Sequence, residues 1–110
     1  MNNEIYVKGT RYKIKVAKPN GQFLGETDFK KRTITITTQN EGKEITKTIV
    51  HELLHAYMYE CGLPRYASDE MLIEYLESIF KDITKKTNQA SKIFNQLANK
   101  AKGVKYGRDI

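Results

Sequence analysis

The apolar period of the chain changes near residue 44, and this change limits the folds open to it more than any other feature. Up to residue 38 the apolar residues alternate, as strands with one buried face require. Ile5 and Val7, then Tyr12, Ile14 and Val16, are two such runs, with Lys8-Gly9 between them as a turn. Pro19-Asn20-Gly21 is a second turn, because Pro presets φ and Asn-Gly tolerates positive φ. Phe23 to Phe29 reads as a third strand, bent or bulged at Gly25. Thr33 to Thr37 alternates β-branched residues and reads as a fourth, followed by a loop at Asn40-Glu41-Gly42.

Beyond residue 44 the period is helical. Ile45, Ile49, Leu53 and Ala56 share one stripe, flanked by Val50, Leu54 and Tyr57, which predicts a helix over 43–62. Gly62 and Pro64 end it. Ser68 or Asp69 can cap a second helix over 68–84, with Leu72, Tyr75/Leu76, Ile79/Phe80 and Ile83 on its apolar side. Thr84–Asn88 reads as a polar break before a third, basic helix over 88–103 and a tail. Strands followed by helices imply a single α+β domain over 1–110, with two to three helices on a small antiparallel β-sheet of three to four strands.

With 110 residues the chain has room for one modest core. Hydrophobic residues at 39% and charged ones at 29% are a soluble globular composition. No basic-then-apolar leader opens the sequence, and no apolar run approaches the roughly 20 residues that cross a bilayer. No membrane partner is expected. The lone Cys61 cannot form an internal disulfide, so the expected location is cytoplasmic. Residues 81–110 hold eight Lys/Arg against Asp82 and Asp109, so 8 − 2 = +6 accounts for the whole net charge of +6. Nucleic acid is a possible partner for this basic C-terminal region but not the favoured one: a solvated helix face and tail is the preferred reading of the charge, and no nucleic-acid site is assigned.

Chemistry concentrates in the first helix, where His51-Glu52-Leu53-Leu54-His55 forms H-E-x-x-H with the only two histidines of the chain. Residues four apart share a helix face, so both imidazoles can reach one Zn²⁺ ion. Glu52 between them is placed to take a proton from a zinc-activated water. A third ligand is sought among Asp69, Glu70, Glu74 and Glu77 on the next helix; Cys61 lies too close behind His55 on the same helix. Glu70 opens that helix, where the N-terminus favours an anion. If Glu70 binds the metal, Glu74 one turn later can hydrogen-bond a ligand imidazole from behind. Glu77 reads as solvent-facing.

Glu70-Met-Leu-Ile-Glu74 resembles the arrangement of thermolysin-type glutamate zincins, in which an acidic residue follows the third ligand by four positions. The stretch from Gly25-Glu-Thr-Asp through Ile34/Ile36 to the H-E-x-x-H, with Asp69-Glu70 and Tyr75 beyond it, looks like the minimal gluzincins of the ImmA/IrrE type, over roughly residues 22–84. The resemblance is greatest to the short forms carried by phages and mobile elements. It departs at Leu54, where that family usually has Gly. The resemblance implies a zincin-like (minigluzincin) fold and a hydrolase, a zinc metalloendopeptidase acting on an intracellular protein. A tyrosine would donate to the oxyanion, Tyr66 first and Tyr59 or Tyr57 after it. A peptide would pair with an exposed sheet edge, expected at Thr33–Thr37. Two other readings share the motif: a metalloprotease scaffold that acts by occupying a protein partner, and a DNA-associated protease resembling the SprT-like group.

Overall fold

A computed structural model describes residues 2–104, so Lys105 and Arg108 of the basic tail lie outside the described residues. The chain divides into two units, Met1–Glu77 and Ser78–Ile110. The first contains strands β1 (Glu4–Val7), β2 (Thr10–Ala17), β3 (Gly25–Asp28) and β4 (Thr33–Thr37) and helices α1 (Lys43–Glu60) and α2 (Pro64–Ala67). Helix α3 (Glu70–Val104) opens in the first unit and runs through the second.

The fold is α+β, as expected, but the sheet is mixed and not antiparallel. Its order is β1-β2-β4-β3, with β2 and β4 parallel and the other two pairs antiparallel. The cause lies in the connections. Lys8 and Gly9, both at positive φ (52° and 81°), close a two-residue hairpin that pairs β1 with β2. The longer segment around Pro19-Asn20-Gly21 instead carries the chain past one strand position. The short turn after β3 then folds β4 into that slot, steadied by the Lys31 amide donating to Asp28 Oδ1 at 2.9 Å. Thr33–Thr37 is therefore central, and the edge near the helices is β3.

Alternation places Val7, Tyr12, Ile34 and Ile36 on one face, where they bury against Ala56 of α1 with Ile5, Ile14 and Leu53 around them. Val16 shares the alternation but is 73% exposed near the strand's end. Of the α1 stripe expected at Ile45, Ile49, Leu53 and Ala56, the second half packs on the core, while Ile45 and Ile49 are more than a third exposed. The buried residues of α1 are Thr48, Glu52, His55 and Ala56, so the helix turns a largely polar face inward. Asn40 explains how this face is tolerated at its first turns. Its amide donates to the Leu24 and Thr37 carbonyls at 3.0 and 2.8 Å, and its oxygen accepts from the Thr48 hydroxyl at 2.6 Å. The loop is thus tied to β4, to the segment before β3 and to α1.

The other end of α1 stops as the sequence implies. Gly62 adopts φ 81°, its amide donates to the Tyr59 carbonyl at 3.0 Å, and the Leu63 amide reaches the Met58 carbonyl at 3.0 Å. These two bonds satisfy carbonyls that the helix itself leaves open. Just before this stop, Glu60 Oε2 accepts from the buried Tyr12 hydroxyl at 2.6 Å and from Arg32 Nε at 3.0 Å. Burial and the Glu60 carboxylate push the Tyr12 hydroxyl well above its ordinary range. The Tyr12 hydrogen bond, helped by Arg32, holds Glu60 below its ordinary value of 4.5.

Asp69 is the residue that caps α3, its Oδ1 accepting from the Leu72 amide at 3.1 Å. The helix continues for 35 residues, so no break occurs at Thr84–Asn88. That stretch is polar but has no Gly or Pro, and polarity alone does not interrupt a helix. Among the described residues no helix is long and apolar enough to cross a membrane.

Two outcomes test this packing. Ile34→Ala should lower the unfolding free energy in urea by about 2–5 kcal/mol, the cost of a large-to-small change in a core, while Val16→Ala changes it little. Because the Glu60 carboxyl is depressed in the folded chain, its contribution is present above the ordinary value of 4.5 and fades as pH falls through the folded value. Denaturation curves of Glu60→Gln against pH should therefore lack part of the acid loss that the parent shows below pH 4.5.

Candidate metal centre

His51 and His55 stand one turn apart on α1, their ring centroids separated by 5.0 Å. Glu70, in the first turn of α3, points one oxygen at both. Its Oε1 lies 2.9 Å from His51 Nε2 and 3.0 Å from His55 Nε2. The three ligand atoms all lie within 4.8 Å of one another. The structure thus brings together His51, His55 and Glu70.

The outer nitrogens decide which protonation state this cluster prefers. His55 Nδ1 hydrogen-bonds the carbonyl of Ala67, supplied by the short helix α2. A carbonyl only accepts, so Nδ1 carries the proton and Nε2 presents a lone pair. His51 Nδ1 lies 3.1 Å from Glu77 Oε1, and a carboxylate sets the same tautomer. Neutral imidazoles would then aim two nitrogen lone pairs at one carboxylate oxygen, an arrangement that repels unless positive charge sits among them. His51 shows the same demand. Burial opposes its charged form, but the Glu77 and Glu70 carboxylates outweigh that and raise the imidazole above its ordinary value. Two imidazole nitrogens and one carboxylate oxygen form a donor set suited to a zinc-like divalent ion.

Glu74 does not take the place expected of it. It is exposed, and the hydrogen bond from behind the imidazole comes from Glu77, whose side chain is only 14% exposed. Seven residues make almost two whole turns of helix, so Glu77 returns to the Glu70 face more closely than Glu74 does. That spacing was the available signal. Tyr66 lies on α2 and is 45% exposed, and no tyrosine among the described residues lines the cavity beside the cluster. Tyr57 is also exposed, and Tyr59 stacks on Phe29 with centroids 4.5 Å apart.

Glu52 is buried and lines this cavity, which has a volume of about 330 Å³ and is also lined by Phe23, Thr27, Phe29, His55 and Glu70. The Thr27 hydroxyl donates to Glu52 Oε1 at 2.7 Å and lies 3.1 Å from the Glu52 carbonyl. Burial pushes the Glu52 carboxyl above its ordinary value, against the Thr27 bond and the nearby imidazoles. Gly25 makes this proximity possible. A Cβ there would sit 2.7 Å from Thr48 Cγ2 and 3.0 Å from Glu52 Cγ. Its role is a close approach of β3 to α1, not a bulge. Thr27 and Gly25 carry no motif signal of their own.

No family model matches the chain, and neither a curated protein nor a solved structure matches it.

Gly25→Ala should cost about 1–3 kcal/mol of stability, since the added methyl meets a β-branched side chain that is itself hydrogen-bonded. A chemical-denaturation midpoint equal to the parent's would show that β3 and α1 are not held this closely.

Proposed function

We propose that this chain is a zinc metallopeptidase of the minimal gluzincin kind, with His51, His55 and Glu70 as ligands and Glu52 as general base. The observation that carries the reading is the single Glu70 oxygen meeting both Nε2 atoms while each Nδ1 is anchored elsewhere. A zinc ion held there would supply Lewis acidity, acidifying water and polarising a carbonyl.

The remaining work falls to the chain itself. Thr27 fixes Oε1 of Glu52, which leaves Oε2 to accept a proton from water and to pass it to the leaving amine. Glu77 and the Ala67 carbonyl keep the imidazoles in one tautomer and orientation. Phe23 and Phe29 give the cavity apolar walls, which favour an extended peptide over a charged small molecule. Such a peptide would align along β3, whose outer edge has no strand partner among the described residues. Together with the resemblance to ImmA/IrrE-type proteins of phages and mobile elements, this points to endoproteolysis of an intracellular protein.

Metal analysis and a peptide-library assay on the same preparation test the reading. The parent should carry one zinc per chain and cleave, and His51→Ala should lose both. Glu52→Gln should keep the metal while turnover falls by roughly 10²- to 10⁴-fold, the usual contribution of a general base. Undiminished cleavage by Glu52→Gln would remove Glu52 as the base, whereas biological activity that survives the substitution although cleavage is lost would favour a scaffold that acts by occupying its partner.

A further inference from the structure

The second unit is described from Ser78 to Val104 as one uninterrupted helix, and every side chain from Ser78 to Leu97 is exposed. Its large apolar residues are not scattered. Ile79, Phe80 and Ile83 recur fourteen positions later as Ile93, Phe94 and Leu97. Fourteen is two heptads, about 21 Å along the axis at 1.5 Å per residue. Phe80, Ile83, Thr87, Ala90, Phe94, Leu97 and Ala101 follow one another at alternating steps of three and four. This is the spacing of a coiled-coil seam, with a period of 3.5 rather than the 3.6 of a helix lying on a globular core.

The positions facing away from the seam are polar without exception among the described side chains: Lys81, Asp82, Lys85, Asn88, Gln89, Lys92, Asn95, Gln96, Asn99 and Lys102. An isolated helix gains little from propensity alone, so a seam this exposed calls for a partner. We propose that the partner is the same seam of a second copy of this chain, the two forming a two-stranded coiled coil.

Self-pairing is favoured by the repeat and by the flanks. Because the two apolar triplets are alike, a second copy meets triplet with triplet and the small Thr87/Ala90 layer with itself, in parallel or antiparallel orientation. The flanking positions are Ile79, Lys86, Ile93 and Lys100 on one side and Thr84, Ser91 and Ala98 on the other. In the parallel pair Lys86 faces Ser91. In the antiparallel pair Lys86 faces Ile93 and Lys100 faces Ile79. Neither orientation opposes like charges within the described residues, so no charge code rejects a second copy. The inference is independent of the metal centre, which belongs wholly to the first unit.

Sedimentation equilibrium of the full chain across a hundredfold range of micromolar concentrations tests it. The parent should sediment at twice the chain mass. The double variant Phe80→Glu/Phe94→Glu should sediment at the chain mass, and Ala90→Arg at the middle of the seam should do the same without removing an aromatic ring. Lys85→Glu/Lys92→Glu, on the outer side, should remain dimeric. Near-ultraviolet circular dichroism, which reports the buried Tyr12, should be unchanged in all of them. A parent that is monomeric throughout, or a dimer that survives Phe80→Glu/Phe94→Glu, would overturn the proposal. So would a monomeric parent that binds vesicles of phosphatidylserine, which would assign the face to an anionic lipid surface.

Discussion

Helix α1 turns Thr48, Glu52 and His55 toward the protein interior, and most of the first unit follows from the need to partner them. A buried polar group left without a hydrogen bond costs about 1–3 kcal/mol, more if charged. Three such groups would remove a large part of a small domain's stability. Each finds its partner on a different element. Asn40 in the loop before α1 serves Thr48, Thr27 on β3 serves Glu52, and the Ala67 carbonyl of α2 serves His55. The edge strand, the loop and the short helix are thus placed by the requirements of one helix face.

The same constraint links packing to the proposed chemistry. Gly25 lets β3 approach α1 closely enough for Thr27 to grip the Glu52 carboxylate, which leaves one carboxylate oxygen available. The Schellman-type stop at Gly62 and the Pro64 start of α2 turn the chain back so that Ala67 and then Glu70 meet the imidazoles from the other side. Tyr12, Arg32 and Glu60 fix the far end of α1 against the sheet. With both ends of α1 held, the two imidazoles have little freedom to move away from Glu70.

Much of this was legible in the sequence, and the parts that were not share a cause. The change of period from two to 3.6 identified strands then helices, Gly62 marked a helix end, and His51-Glu52-x-x-His55 with Glu70 named the residues that the structure brings together. The buried face of α1 was read correctly at Leu53 and Ala56 but misread over its first turns, because Ile45 and Ile49 outscore Thr48 and Glu52 by hydrophobicity, whereas tertiary hydrogen bonds chose the polar side. β4 was taken for an edge because sequence neighbourhood says nothing of which slot a strand fills after a long connection. Glu77 was set aside in favour of Glu74, although its seven-residue spacing from Glu70 returns it closer to the same helix face. The supposed break at Thr84–Asn88 lay within a heptad phase that runs on undisturbed.

The central claim is that His51, His55 and Glu70 together form the metal site, and X-ray absorption at the zinc edge of the loaded protein tests it most directly. The account expects an inner shell of nitrogen and oxygen with two imidazoles at about 2.0–2.1 Å. That shell should be lost in His55→Ala, as in His51→Ala, because either substitution leaves only two of the three ligands. A sulfur shell from Cys61, or a shell of oxygen without imidazole, would contradict it.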